Sequence, residues 1–465
     1  MGRALLQVQD VEKALDVTIS KAVEGPINNF VTDSRKVTPG DIFVALVGEN
    51  FNGHDFLNDA FSQGAIAAVV TQEIAEPHFL VADTLLAYGK IAAAHRAKLK
   101  AKVIGVTGSS GKTSTKDLLS SVLSKFGNTV APSGSFNNEI GMPATILSAD
   151  LSTEYLVLEM GMRGLGQISY LCEIAKPDIG VVLNIGSAHM ELLGSRAAIA
   201  EAKTELVLSL DAAGTAIINA DEPLILSYLP KIQAKVLTFG EAPSSDIRVD
   251  DIALNQAGLP EFEINSFGES SRLELQLAGE HQAMNAAAVV AVTQSLDLDF
   301  AKVVDALAKA EPTSSMRMQV VDLPNGITII NDAYNANPES MRAGLKALKA
   351  MAKGRRTWAV LGEMRELGQL KVEAHDEIGR LCVRLDINRL VAVGEAGKIL
   401  QIGAAQEGSW GNEAQWEPDV PSVIAKLKKE LQPGDIVYIK ASRAIGLERV
   451  AEALISEFSA ENSAP

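Results

Sequence analysis

Between Val103 and Gly240 the chain repeats one pattern, an apolar run of strand length followed by a stretch of helical spacing. The runs are "VIGV", "YLVLEMG", "DIGVVLNIG", "GTAIINADE" and "AKVLTFG". Strands that are apolar on both faces and separated by helices pair in parallel, because each crossover lays a helix over the sheet. From near Pro312 a second series, "GITIIND", "RTWAVLGE", "RLVAVGE" and "DIVYIKAS", repeats the pattern, each strand running into a polar or glycine tip. Open αβ sheets bind their ligands at such tips. Up to about Val81, "DIFVALVG" and "GAIAAVV" are short strands among Gly- and Asn-rich loops, and Asp83–Leu99 is a helical connector. Ile247–Leu277 switches to short alternating strands, which predicts a small antiparallel sheet, and a helix follows over Gln282–Gln294.

A chain of 465 residues allows about three domains. The expected fold is α/β in three parts: residues 1–82, a small α/β N-terminal domain; 83–311, a central parallel-sheet domain with a small antiparallel sheet; 312–465, a Rossmann-like domain. At 47% hydrophobic and 22% charged, each can build a core. The formal net charge of −16 gives no long-range attraction for nucleic acid. No apolar run nears the roughly 20 residues that span a bilayer, and the start shows no secretory signal. Cys172 and Cys382 stand far apart and suggest neither a disulfide framework nor a zinc site. The expected setting is the cytoplasm. "ENSAP" is a polar tail.

The strand at Val103 runs into Thr107-Gly108-Ser109-Ser110-Gly111-Lys112-Thr113. A standard phosphate loop, G-x-x-x-x-G-K-[ST], would put glycine where Val106 stands. The context still fits. Leu118, Leu119, Val122, Leu123 and Phe126 recur at helical spacing, so the loop joins a strand to a helix N-terminus. Free N–H groups and the helix dipole favour an anion there. Lys112 reaches toward β- and γ-phosphates, and Thr113 offers a hydroxyl to Mg²⁺.

Magnesium needs further oxygen ligands, commonly a carboxylate at a strand end, and Glu159 closes "YLVLEMG". His189 follows the next strand. By itself it reads as a loop histidine, since magnesium prefers oxygen. Lys203, in "AIAEAKTELV", reads by itself as a helix-surface lysine. An ammonium has no lone pair to offer a metal, whereas a carbamate is an acceptor like a carboxylate.

In order along the chain, "TGSSGKTSTK", "SFNNEIGMP", "LEMGMRGLGQI", "NIGSAHMELLGS", "EAKTEL" and "GEHQAMNAAA" resemble the Mur ligases of bacterial cell-wall synthesis. So do "TDSRKVTPGDIFVALVGENFNGHDF" near the start, and "NDAYNANPESMRAGL", "LGEMRELG", "AHDEIG" and "KASRAIGLERV" toward the end. The resemblance covers nearly the whole chain, and the loop's displaced glycine is one of its marks. It implies a domain for a UDP-sugar (1–82), a P-loop ATPase (83–311), and a domain that closes over ATP and a dipeptide (312–465). It implies ATP-dependent amide bond formation through an acyl phosphate. The implied substrates are UDP-N-acetylmuramoyl-tripeptide and D-alanyl-D-alanine, and the implied state is a monomer.

Roles follow from the same resemblance. Thr107 to Thr113, with Asn285 at the adenine, Arg317 at the γ-phosphate and Asp332 at the ribose, bind ATP. Thr113 and Glu159 hold one Mg²⁺, and His189 and a carbamylated Lys203 a second. Lys112, Lys203, His189 and Arg317 serve the chemistry. Ser34, Arg35, Asn52 and His54 contact the UDP part, and Asn137 and Asn138 the muramyl-peptide. Asn335, Asn337, Ser442 and Arg443 are expected at the dipeptide. Arg35 and Arg443 can equally be surface ion-pair partners. Gln282 and Ala441 depart from the family's usual Asn and Gly. Other readings of the phosphate loop are a sister ligase or folylpolyglutamate-type ligase, a P-loop kinase, and an ATPase switch. "AYNANP" and the first-domain motif favour the dipeptide-adding branch.

Overall fold

The computed structural model describes residues 5–48, 51–408 and 411–460, so the "ENSAP" tail lies outside the described residues. Three sheets occur in chain order. The first holds β1 (Phe30–Val31), β2 (Ile42–Val44), β3 (Ala67–Val70) and β4 (His78–Leu80), all parallel. The second holds β5 (Lys102–Thr107), β6 (Thr129–Val130), β7 (Tyr155–Glu159), β8 (Ile179–Val182), β9 (Thr215–Asn219), β10 (Lys235–Gly240), β11 (Ile247–Leu254), β12 (Pro260–Ser266) and β13 (Glu269–Glu274). The third holds β14 (Gln319–Asp322), β15 (Thr328–Asn331), β16 (Thr357–Leu361), β17 (Arg389–Val393), β18 (Ala414–Glu417) and β19 (Ile436–Lys440).

The second sheet runs β13-β12-β11-β10-β9-β8-β5-β7-β6. β5 lies between β7 and β8, so the order reverses on either side of it. A crevice opens where strand order reverses, and the end of β5 delivers the phosphate loop to it. Alternate side chains of β7 enter opposite cores: Leu156 and Leu158 pack on one face and Val157 on the other. Helices Lys112–Leu123 and His281–Ser295 cover the Val157 face, and helices Gln167–Ala175 and Arg196–Leu208 the opposite one. The antiparallel strands expected over 247–277 do not form a sheet of their own. β11 pairs in parallel with β10, so β11 to β13 extend the central sheet.

The connector helix Thr84–Arg96 is capped by Asp83, whose side chain accepts from the amides of Leu85 and Leu86. It is not an exposed linker. Tyr88, Ile91 and Ala92 are buried in a core shared by β2, β3 and the central sheet. Thr84 donates to Ala45 O (3.0 Å), and Arg96 Nε donates to Ala175 O (2.8 Å). A core continuous across two sheets holds the first unit on the second.

The third sheet, β14-β15-β19-β16-β17-β18, is parallel except for β14. Its two faces build separate cores, with Ile330, Leu361 and Tyr438 on one and Ile329, Trp358 and Ile439 on the other. Among the described residues no helix is long and apolar enough to cross a membrane. Cys172 and Cys382 are both free and buried, and burial pushes each thiol up to about 12. Both should therefore resist a thiol reagent in the folded protein and react once it is denatured. Fast labelling of either thiol under native conditions would contradict this packing.

Candidate active site

Thr107 ends β5 with its hydroxyl donating to Met160 O (2.8 Å). The loop then leans on the segment after β8. Ser109 N donates to Asn184 O (3.1 Å), Ser110 N to Asn184 Oδ1 (2.9 Å), and Gly186 N to Ser109 Oγ (2.8 Å). Gly111 occupies the left-handed region at φ 81°, which favours glycine, and a Cβ there would sit 2.6 Å from Asn285 Oδ1 and displace that side chain. Helix Lys112–Leu123 starts at this glycine with no side-chain cap, leaving its first amides available for an anion.

Thr113 Oγ1 donates to Glu159 Oε2 (2.8 Å) and meets Ser135 Oγ at 2.9 Å. Asn137 Nδ2 donates to Glu159 Oε1 (2.7 Å). The buried carboxylate at the end of β7 thus faces the hydroxyl that follows the loop lysine. Oxygen donors at a strand end and a helix start form a set that suits magnesium beside phosphate oxygens. Lys112 Nζ donates to Gly108 O (2.8 Å). Desolvation pulls its pKa below the usual lysine range, against the opposing pull of Glu159.

Lys203 lies on helix Arg196–Leu208 at 1% exposure. The helix-surface reading is corrected here, because the residue's neighbours in the helix, Ala202 and Leu206, are core residues and carry it inward. Burial, with Lys112 as a like charge nearby, depresses its pKa well below the ordinary lysine value. No ion pair or hydrogen bond reaches its ammonium among the described residues. A buried, unpaired ammonium is costly.

The third unit closes a cavity of about 490 Å³ over the loop. Arg317 stacks on Tyr334, 4.2 Å from the ring centroid, and Nη2 donates to Ser135 Oγ (3.0 Å). Asp332, just past β15, accepts from Lys440 Nζ (2.6 Å), Tyr438 OH (3.0 Å) and Met318 N (3.1 Å). Asn337 caps helix Pro338–Ala352, and its Nδ2 approaches Ser109 O at 3.5 Å. Asn335 lines the cavity, with its carbonyl accepting from Lys440 (2.8 Å). On the opposite wall Asn285 Nδ2 donates to Gln282 Oε1 (2.8 Å), and His281 Nδ1 is enclosed without a partner. His189 Nδ1 lies 2.7 Å from Glu366 Oε2 of the third unit.

The cavity therefore gathers Ser109, Ser110, Gly111, Lys112, Thr113, Asn137, Glu159, His189, Asn285, Arg317, Asp332, Asn335 and Asn337. Thr107 and Gly108 form the strand end and loop behind it. Other predicted residues stand outside its wall. Lys203 is buried and does not line it. Asn138 Oδ1 accepts from Gly141 N (2.9 Å) at the start of helix Gly141–Leu147. Ser442 Oγ accepts from Arg365 N (2.9 Å), and Arg443 Nη1 is 3.4 Å from Glu448 Oε1. The first unit's four residues are also apart. Arg35 pairs with Asp33 at 2.8 Å and is 86% exposed, and Ser34 is buried beside it. His54 Nδ1 donates to Asn52 Oδ1 (2.7 Å) and Nε2 accepts from Thr71 N (3.0 Å), so both ring nitrogens are engaged within the fold.

Sequence reasoning passed over Ser135, Tyr334, Glu339, Glu366, Tyr438 and Lys440. Glu339 accepts from Ser187 N (3.1 Å) and Oγ (3.0 Å), spanning the second and third units. Glu339 and Glu366 both lie inside motifs already quoted, "NANPES" and "EMREL", but nothing local marks an acid as facing another domain.

A phosphate loop, a buried hydroxyl–carboxylate pair, a sequestered lysine and a third-unit arginine define an ATP-dependent ligase site. Comparison with known proteins agrees. The Mur ligase catalytic-domain profile matches residues 26–109, the Mur ligase middle domain 106–293, and the Mur ligase glutamate ligase domain 316–443. The chain belongs to the Mur ligase family, enzymes that form amide bonds with ATP. It is 42% identical, over 91% of each chain, to the UDP-N-acetylmuramoyl-tripeptide–D-alanyl-D-alanine ligase of Mycobacterium bovis. It superposes on MurF of Acinetobacter baumannii with a TM-score of 0.88 at 30% identity, covering 97% of this chain and 99% of that one. MurF of Thermotoga maritima, solved in complex with ADP, gives 0.82 at 30% identity, with 94% and 98% covered.

Proposed function

We propose that this chain joins D-alanyl-D-alanine to UDP-N-acetylmuramoyl-tripeptide at the expense of ATP, supplying a pentapeptide precursor of peptidoglycan in the cytoplasm. The observation that carries the reading is one cavity in which the phosphate loop, Glu159 and His189 meet Arg317, Asp332 and Asn337 of the third unit. The tripeptide's terminal carboxylate attacks the γ-phosphorus of ATP, and ADP leaves. The amine of the dipeptide then attacks the acyl carbon, inorganic phosphate departs, and the nitrogen gives up a proton as the amide forms.

Each residue's part follows from its place. The loop amides and the helix start bind phosphate oxygens, and Lys112 offsets charge on the phosphoryl group as it transfers. Arg317, held over Tyr334, brings a second cation from the third unit. Asp332, already fixed by Lys440 and Tyr438, presents an acceptor to a ribose hydroxyl, and Asn285 faces the base. Asn137 orients the muramyl-peptide and Asn335 and Asn337 the dipeptide, with Ser442 and Arg443 steadying the neighbouring loop. Residues 1–82, through Ser34, Arg35 and the Asn52–His54 turn, bind the UDP part, 83–311 bind ATP, and 312–465 close the site against water.

Magnesium fits this donor set: Thr113 and Glu159 would hold one ion, and His189 with Lys203 a second. Bound there, the ions would lessen repulsion between the two anions that must react. Lys203 suits the task only as a carbamate. Its burial favours the neutral amine, whose lone pair adds to CO₂ while one proton leaves the nitrogen. The product is an anion where the structure otherwise buries a lysine with no ion-pair or hydrogen-bond partner among the described residues.

The test is ADP release with ATP and Mg²⁺, adding the UDP-muramoyl-tripeptide and D-alanyl-D-alanine singly and together. Release should need both, with one amide formed per ADP. Fast ADP release with neither substrate would mark an ATPase switch instead.

A further inference from the structure

We propose that Glu366 is a positioning residue for His189. It keeps the imidazole proton on Nδ1 and leaves Nε2 for the metal, so the second metal position is complete only while the third unit is docked. This deepens the reading above and rests on His189 being a metal ligand.

His189 sits between β8 and helix Arg196–Leu208, in the left-handed region at φ 66°, at the start of the four-residue helix Met190–Leu193. No side chain caps that helix. The segment is held from the other unit at two points. Glu339 accepts from Ser187 N and Oγ, and Glu366 Oε2 stands 2.7 Å from His189 Nδ1 on an oblique approach. The Glu366 contact is doubled through the backbone, since Glu191 N donates to Glu366 O (3.0 Å). Glu366 is itself left-handed at φ 62°. Gly368 follows at φ 52°, where a Cβ would lie 3.1 Å from Glu191 Cα. Two non-glycine residues in a rare conformation thus face each other across one interface, and a rare conformation persists only where its surroundings hold it.

The chemistry follows from the imidazole. A ring nitrogen facing a carboxylate keeps its proton, which leaves the other nitrogen's lone pair for an ion. Glu366 is about half exposed and belongs to no core cluster, so packing alone does not explain its placement. With the third unit undocked, Ser187 and His189 lose both carboxylates. Metal capture is then tied to closure, and ATP is not committed before the acceptor domain is in place.

The experiment uses the full-length enzyme with ADP, Mn²⁺ as the paramagnetic probe, and ¹⁵N-histidine spectra assigned with Glu366-intact His189→Asn protein. Glu366→Ala should weaken the more weakly held Mn²⁺ about 10- to 100-fold and move the His189 signal away from the Nδ1–H tautomer. Glu366→Gln, which keeps an oxygen beside that nitrogen, should retain most of both. Glu366→Ala matching the wild type in Mn²⁺ affinity and tautomer would overturn the proposal. Unchanged Mn²⁺ binding in His189→Asn would instead remove His189 from the metal site. Tautomer alone then judges Glu366, a wild-type spectrum in Glu366→Ala refuting the positioning role and an altered one supporting it.

Discussion

Lys112→Met should lower kcat about a hundred- to a thousandfold with little change in the fold. The lysine stem rests at the mouth of the loop, and its one hydrogen bond, to Gly108 O at 2.8 Å, lies within that loop. Its removal gives up only that bond, within the loop itself. A cation aimed at the transferring phosphoryl group matters most in the transition state, so kcat should fall far more than affinity for ADP. Arginine is no substitute, because its planar fork cannot occupy the same point in a site enclosed by Glu159 and Arg317. Steady-state kinetics with both acceptors, paired with ADP calorimetry, would check this. A kcat within tenfold of the wild type would remove Lys112 from the chemistry.

Lys203→Ala should lose activity at least about a hundredfold, with partial rescue by acetate or formate placed where the carbamate stood. The wild-type enzyme should also lose activity in CO₂-free buffer and regain it with bicarbonate. Lys203→Met separates this from stability. Among the described residues its buried amine has no ion-pair or hydrogen-bond partner, so its removal should leave the fold as stable or more so. The pH dependence has a definite sign. The folded protein holds Lys203 well below the ordinary 10.5, so between the two values the unfolded chain binds more protons. Wild-type stability without CO₂ should therefore rise as pH climbs toward that ordinary value, and Lys203→Met should lack this component. Full activity in Lys203→Ala would refute the carbamate role outright.

Much of the site was legible because phosphate chemistry is local. Residues 107–113 must sit on a strand-to-helix turn to present amides, and apolar spacing on both sides announces that turn. The edge strands were harder. β6, β14 and β18 are only two to four residues long and partly exposed, so none carries a continuous apolar run. The antiparallel strands over 247–277 were visible as strands. Their pairing was not, because whether β11 joins β10 depends on only two residue pairs.

His54 shows a subtler limit. "FNGHD" marks a polar turn in the sequence, yet both ring nitrogens are taken by Asn52 and Thr71, and the second of these is 17 positions away. Asn138 Oδ1 likewise accepts from Ile140 N and Gly141 N within its own turn. A polar residue in a loop looks the same in sequence whether or not the fold already engages its side chain, because its partners can lie far along the chain.

Alone, the sequence determined the α/β class, the place of the phosphate loop and the family, because these depend on periodicity and on short runs of residues whose chemistry is fixed by neighbours in the chain. Only the tertiary structure decided that Lys203 is buried beside Lys112, that helix Thr84–Arg96 belongs to a shared core, and that Glu339 and Glu366 grip the His189 loop from another unit. Burial and contacts between acids and partners 152 or more positions apart depend on how whole sheets pack, which no local pattern records.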